Sequence, residues 1–212
     1  MTTPSLSTVL QVQDLSFTYP DQPALLHGWS AHVPVGITLL HGDTGSGKST
    51  LLRLLAGTQA VDGRLTLGAI RFADDPAAYR RSVFWQAPGT EAFDTLTPHE
   101  LASAVCADRG GFDEPGWQRH AEGFGLAPHL HKAMYMLSTG SRRKAMLAAA
   151  LASACPLTLL DEPAGALDAA SIAYLWKALS AWVAATERAV VIASSERVDA
   201  LPLAATIDLP LR

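Results

Sequence analysis

Gly42-Asp43-Thr44-Gly45-Ser46-Gly47-Lys48-Ser49 decides the reading of this 212-residue chain. The stretch has the form G-x-x-x-x-G-K-[ST], whose glycines let backbone amides turn inward and approach a phosphate with no Cβ in the way. Before it lies the β-rich run Ile37-Thr38-Leu39-Leu40. After it, residues 49–56 read as a helix with Leu51, Leu52, Leu54 and Leu55 apolar, and Gly57 is a plausible stop. A helix entered through such a loop adds its positive N-terminal end to the anion site. Lys48 is placed to reach the β- and γ-phosphates of a nucleotide as a point charge and the Ser49 hydroxyl to ligate Mg²⁺, and Thr50 is read with the loop as a nucleotide-binding residue. A chance Gly-rich turn lacks this strand-before, helix-after setting.

A second stretch completes a nucleotide site. Leu157-Thr158-Leu159-Leu160 is a continuous apolar run, the pattern of a strand buried on both faces of a parallel sheet, and Asp161-Glu162 closes it. The C-terminal ends of such strands are where α/β sheets bind ligands. Asp161 suits the Mg²⁺ shell, and Glu162 suits a base or a water-positioning group. Taken alone the pair also reads as a strand end with solvated acids, since surface acids are common. Beside the 42–49 loop the ligand reading prevails.

Working outward, Leu10, Val12, Leu15 and Phe17 alternate imperfectly and predict a strand. Residues 63–70, with Leu65, Leu67 and Ala69, read as a strand or hairpin arm, and 82–85 as a short strand. Thr97-Pro98-His99-Glu100 has the form of a capping box with proline at the first helical position, which predicts a helix to about residue 107. Further helices are read at 114–124, 141–153 and 170–184. The last carries Ile172, Leu175, Trp176, Leu179, Trp182 and Val183 on one face, the spacing of a core helix. Residues 189–193 read as another buried strand. Strand and helix alternate at both ends, and 97–136 is mostly helical, so the architecture is an α/β core with a helical insertion.

Composition narrows the function classes. Hydrophobic residues are 49% and charged residues 17%, which excludes a disordered or collagen-like chain. Sixteen Lys and Arg against 20 Asp and Glu give a net charge of −4, a poor match to broad nucleic-acid or anionic-lipid binding, so no nucleic-acid partner is expected. The triplet Arg142-Arg143-Lys144 is read as a solvated face or as a complement to nucleotide charge. Cys106 and Cys155 are expected to be buried, inert thiols. His129 and His131 lack a third ligand with zinc-site spacing. The start carries no basic and apolar segments of a secretory signal, and no run reaches the roughly 20 apolar residues of a membrane span. The expected location is therefore cytoplasmic, peripheral at the inner face of a membrane if a partner supplies the membrane part.

With these residues in hand, the chain resembles the ATP-binding cassette family, in the form of a single transporter nucleotide-binding domain. The resemblance runs through nearly the whole chain in the family's motif order. Phe17-Thr18-Tyr19-Pro20 looks like the A-loop, implying that Tyr19 stacks on adenine. Gly42 to Ser49 is similar to Walker A. Gln86 looks like the Q-loop glutamine, implying contact with Mg²⁺ and a link to the transmembrane partner. Leu137-Ser138-Thr139-Gly140-Ser141 resembles the LSGGQ signature, Leu157 to Glu162 Walker B, and Ala166-Leu167-Asp168 the D-loop. The implied fold is a P-loop NTPase core with a mostly parallel sheet, an N-terminal antiparallel β subdomain and a helical insertion. The implied division of a single domain over 1–212 is a core at 1–85 and 155–212, with the Q-loop, helical subdomain and signature helix at 86–154. The implied assembly is a head-to-tail dimer of two ATPase subunits with ATP and Mg²⁺ between them, in which Ser138, Gly140 and Asp168 lie near nucleotide. That dimer would drive a separate permease. Short cassettes of this kind resemble haem-exporter ATPase subunits.

The chain departs from the family pattern at two places. Thr139 stands where glycine is usual and Ser141 where glutamine is usual. After the last buried strand the sequence reads Ala193-Ser194-Ser195-Glu196, which puts Ser195 at the family's switch-histidine position. Serine donates a hydrogen bond but carries no imidazole to charge near neutral pH. Two readings follow: a transport ATPase in which Lys48, Gln86, Glu162 and Ser195 carry the chemistry, or a degenerate cassette of low turnover acting in a heterodimer or as a regulatory subunit.

Overall fold

The computed structural model describes residues 7–60, 62–85 and 92–210. In chain order its elements begin with β1 (Thr8–Thr18), β2 (Ala24–Pro34), β3 (Gly36–His41), α1 (Lys48–Leu55), β4 (Asp62–Leu67) and β5 (Ile70–Arg71). Next come α2 (Pro76–Arg81), β6 (Val83–Phe84), α3 (Pro98–Cys106), α4 (Glu114–Gly123) and α5 (Thr139–Ala152). The chain closes with β7 (Leu157–Asp161), α6 (Ala169–Ala184), β8 (Ala189–Ser194) and β9 (Leu203–Asp208).

An antiparallel sheet has the strand order β2-β1-β4-β5, and a parallel sheet the order β6-β7-β8-β3-β9. The imperfect alternation of the first strand has a structural cause. β1 slips register against β2 between Val12 and Leu15, where Asp14 adopts φ 53°, and this bulge restores Leu15 to the buried face. The parallel sheet accounts for the unbroken apolar runs. Every residue of β8 is buried, with Ala189, Val191 and Ala193 in one core and Val190 and Ile192 in the other. The first core lies against α1 and the antiparallel sheet, the second against α3 to α6.

Two helix starts bear on the site. The capping box of α3 is present: Thr97 Oγ1 accepts from the Glu100 amide, and Glu100 Oε2 accepts from the Thr97 amide at 2.8 Å. α5 begins at Thr139 and not near 141 as the sequence suggested. Ser138 is its N-cap and accepts from the Ser141 amide at 3.2 Å, which sets the helix start two residues earlier.

Register aligns the functional edge. Along the parallel sheet His41 pairs with Ser194 and Asp161 with Ala193, so β3, β7 and β8 end level with one another. The residues that follow those strands, the 42–49 loop, Glu162 and Ser195, therefore share one edge, the C-terminal edge of the sheet.

Candidate active site

The loop after β3 is built to take an anion. Gly47 adopts φ 99°, a conformation that favours glycine, and a Cβ there would stand 2.5 Å from the Leu25 side chain, which would have to shift. Lys48 is 6% exposed, and its Nζ donates to the Gly42 carbonyl at 2.7 Å and the Asp43 carbonyl at 3.0 Å. Among the described residues the Ser46 hydroxyl is buried without a hydrogen-bond partner. Asp43, Thr44, Gly45 and Ser49 are exposed, and Thr50 is buried. A phosphate fits this donor set: an orphaned hydroxyl, a lysine whose hydrogen bonds go to two carbonyls, and the amide end of α1. Ser49 Oγ and the Asp161 carboxylate are hard oxygen donors suited to Mg²⁺. Gln86, the third metal ligand implied by sequence, lies outside the described residues.

Glu162 is held from several sides. It adopts φ 43°, a left-handed conformation that costs a non-glycine residue roughly 1–2 kcal/mol. Its amide donates to the Ala193 carbonyl at 2.9 Å. Its Oε1 accepts from the Ser195 amide at 2.8 Å and stands 3.5 Å from Lys48 Nζ. Its own carbonyl accepts from the Gly165 amide at 3.0 Å and from Arg143. The backbone of Ser195, and not its side chain, is thus what meets the carboxylate.

Tyr19 is anchored to the helix that leaves the loop. Its hydroxyl lies 2.9 Å from Thr50 Oγ1 and accepts from Arg53 at 2.7 Å, and Phe17 packs edge-on at 4.8 Å. Sequence reading missed Arg53. Its position three residues after Thr50, one helical turn on, was the available signal.

The signature helix α5 meets the turn after β7 at three points. A Cβ on Gly140 would stand 2.6 Å from the Ala166 carbonyl oxygen, so only glycine allows this approach. Arg143 donates to the Glu162 carbonyl, and Lys144 pairs with Asp168 at 2.6 Å. Asp168 also caps α6 by accepting from the Ser171 amide at 2.8 Å. The Lys144 bond and the Ser171 bonds hold its carboxyl well below the usual carboxylate range. The basic triplet is therefore half-buried and paired within the chain, which corrects the reading of it as a wholly solvated face. Arg142 pairs with Asp94 at 3.3 Å, and all three side chains have partners within the chain. The spacing i, i+3, i+4 from Gly140 puts Arg143 and Lys144 on its face of the helix, a signal that was present but unused. Ser138 and Thr139 are exposed, and the side chain of Ser138 bonds within its own helical turn. The signature's amide end faces solvent.

The remaining candidates are quiet. Burial pushes both thiols up, that of Cys106 to about 11, leaving little reactive thiolate at neutral pH. Among the described residues no cluster of three metal-ligating side chains exists. Trp176 and Trp182 pack half-buried against the core, and Leu175 and Leu179 are buried. Among the described residues no helix is long and apolar enough to cross a membrane.

Comparison with known proteins follows the same lines. The profile of the ABC transporter family matches residues 27–165. The cytochrome c biogenesis ATP-binding export protein CcmA of Rhodospirillum rubrum is 41% identical over 143 residues, 67% of this chain and 61% of that protein's length. CcmA of Aromatoleum aromaticum is 34% identical over 176 residues, 81% of this chain and 82% of its own. Among solved structures, an ATP-binding subunit of an ABC transporter superposes with a TM-score of 0.76 at 26% identity, covering 88% of this chain and 79% of its own. A bacterial Atm1-family ABC exporter with ATP bound superposes at 0.76 and 19% identity, covering 98% and 39%, a likeness of fold.

Proposed function

Because this chain belongs to the ABC transporter family, we propose that it is the ATP-hydrolysing subunit of a membrane exporter, coupling ATP-driven closure of a dimer to transport by a separate permease. The observation that carries the reading is the convergence on Glu162: Lys48 Nζ at 3.5 Å and the Ser195 amide at 2.8 Å, at the edge where β3, β7 and β8 end level. The relatives' role in cytochrome c biogenesis makes export of the haem-exporter type the proposed transport class. Cargo is set by the permease.

The residues divide the work as follows. Tyr19 presents its ring to adenine, anchored by Thr50 and Arg53. The loop amides and Lys48 bind the phosphates, Lys48 exchanging its carbonyl partners for phosphate oxygens. Ser49 and Asp161, with Gln86, would hold Mg²⁺, which would supply positive charge to offset that of the phosphates. Glu162 orients a water in line with the γ-phosphorus and takes its proton as the new P–O bond forms and the bond to the β-phosphate oxygen breaks. Ser138 and the first amides of α5, exposed on this chain, offer an anion site to the γ-phosphate bound by a second copy. ATP then joins two surfaces, and hydrolysis separates them.

Sedimentation velocity of the Glu162→Gln variant tests the assembly. With Mg²⁺-ATP it shifts from monomer to dimer, and with Lys48→Ala added it stays monomeric. A monomer under both conditions contradicts the closed dimer. A second reading, a low-turnover cassette paired with another ATPase subunit, is favoured by Ser195 in place of an imidazole. ATP binding without turnover, restored by mixing with a second cassette, distinguishes it.

A further inference from the structure

Arg143 belongs to no motif read from the sequence, yet it reaches the backbone of the proposed base. Its guanidinium donates to the Glu162 carbonyl, and its Nη1 lies 3.2 Å from where a Gly165 Cβ would stand. The guanidinium therefore sits in the hollow of the turn that follows β7. That turn is unusual in its backbone: Glu162 and Ala166 both adopt left-handed φ, 43° and 60°, without being glycine. Such residues persist only where their surroundings over-determine them. The Glu162 amide is fixed by β8 and its carboxylate by the Ser195 amide, and the carbonyl side is fixed by Gly165 and Arg143. Among the described residues, Arg143 is the side chain from another element that bonds the Glu162 backbone, whereas Lys48 approaches its carboxylate. Arg143 stands on the same helix whose N-terminus is Ser138, and its neighbours on that face, Gly140 and Lys144, contact the same turn at Ala166 and Asp168.

We propose that Arg143 is a positioning residue for the reaction: it holds the Glu162 backbone in the conformation that aims the carboxylate at Lys48 and the Ser195 amide, and so ties the position of the signature helix to the alignment of the base. This deepens the ATPase reading and rests on it for the role of Glu162. A planar guanidinium, fixed by its fork of donors, suits a carbonyl in a tight turn better than a flexible ammonium does, so lysine replaces it only in part.

The experiment compares the parent chain with Arg143→Met and Arg143→Lys. Steady-state kinetics with Mg²⁺-ATP give a kcat lower by about tenfold or more in Arg143→Met, with KM for ATP within about twofold, because misaligning a base spares ground-state binding. Arg143→Lys is intermediate. Hydrogen exchange without nucleotide supplies a readout that needs no turnover. The Ser195 amide, whose acceptor is the Glu162 carboxylate, exchanges about fivefold faster in Arg143→Met, approaching the Glu162→Ala control, and is intermediate in Arg143→Lys. Unchanged exchange at Ser195 overturns the proposal. So does a rise in KM matching the fall in kcat without rescue by lysine, which marks general damage to the signature helix. A parent chain that binds ATP but does not hydrolyse it counts against the ATPase reading alone, and the exchange result still decides the role of Arg143.

Discussion

At the scale of single residues the account turns on which atom does what. Ser195 meets Glu162 through its amide, at 2.8 Å, and any side chain there keeps that bond. Ser195→Ala therefore leaves kcat within about threefold of the parent in a coupled ATPase assay, whereas Ser195→Pro, which has no amide hydrogen, lowers it by about ten- to a hundredfold. Lys48 is different, since its ammonium is the group itself. Lys48→Ala weakens ATP binding by about tenfold or more in a fluorescence titration, by loss of a buried charge at the phosphates. Lys48, Asp161 and Glu162 were legible in the sequence because loop glycines and an apolar strand fix them by spacing. Arg143 was legible only as far as its helix face: its spacing from Gly140 places it on that side of α5, but a bond to a backbone carbonyl 19 positions away leaves no pattern of residue types.

At the scale of elements, polar side chains decide where helices begin. Thr97→Ala removes half of the α3 capping box and lowers Tm by about 2–4 °C in a thermal melt, with ATP affinity unchanged. The Asp168–Lys144 bond has a pH signature. The Asp168 carboxyl is depressed in the folded chain, first by Lys144 and then by Ser171. Its contribution is present above the unfolded carboxylate value of about 3.9 and is lost as pH falls through the lower folded value. Asp168→Asn therefore flattens the acid limb of a stability-against-pH curve measured by denaturant unfolding, and leaves the curve unchanged in shape above about pH 6. Most elements were legible from period and caps. β2 and β9 were not. Along β2 only Leu26 and Val33 are fully buried, and β9 is a sheet-edge strand with no fully buried residue, so neither carries a strong apolar signal. The bulge at Asp14 blurred β1 for a related reason, since a register slip breaks the two-residue period.

At the scale of the whole molecule, two groups of residues belong to different parts of the fold. The P-loop, Glu162 and Ser195 share the carboxyl edge of the parallel sheet. The exposed start of α5 belongs to the helical block, tied to that edge through the Glu162–Asp168 turn. In the proposed dimer the first group would supply a phosphate pocket and the second a phosphate cap to another copy. The order of the motifs was legible from sequence, and the two-copy arrangement is what the family resemblance implies. The three-point contact between α5 and the turn was not legible, because it depends on side-chain reach across elements. The most direct measurement is steady-state hydrolysis of Mg²⁺-ATP by the purified chain beside its Glu162→Gln variant. The account predicts turnover in the parent that falls by about a hundredfold or more in the variant, with ATP binding retained in both. Equal rates in the two proteins would contradict it, since Glu162 would then not be the base on which the site is built.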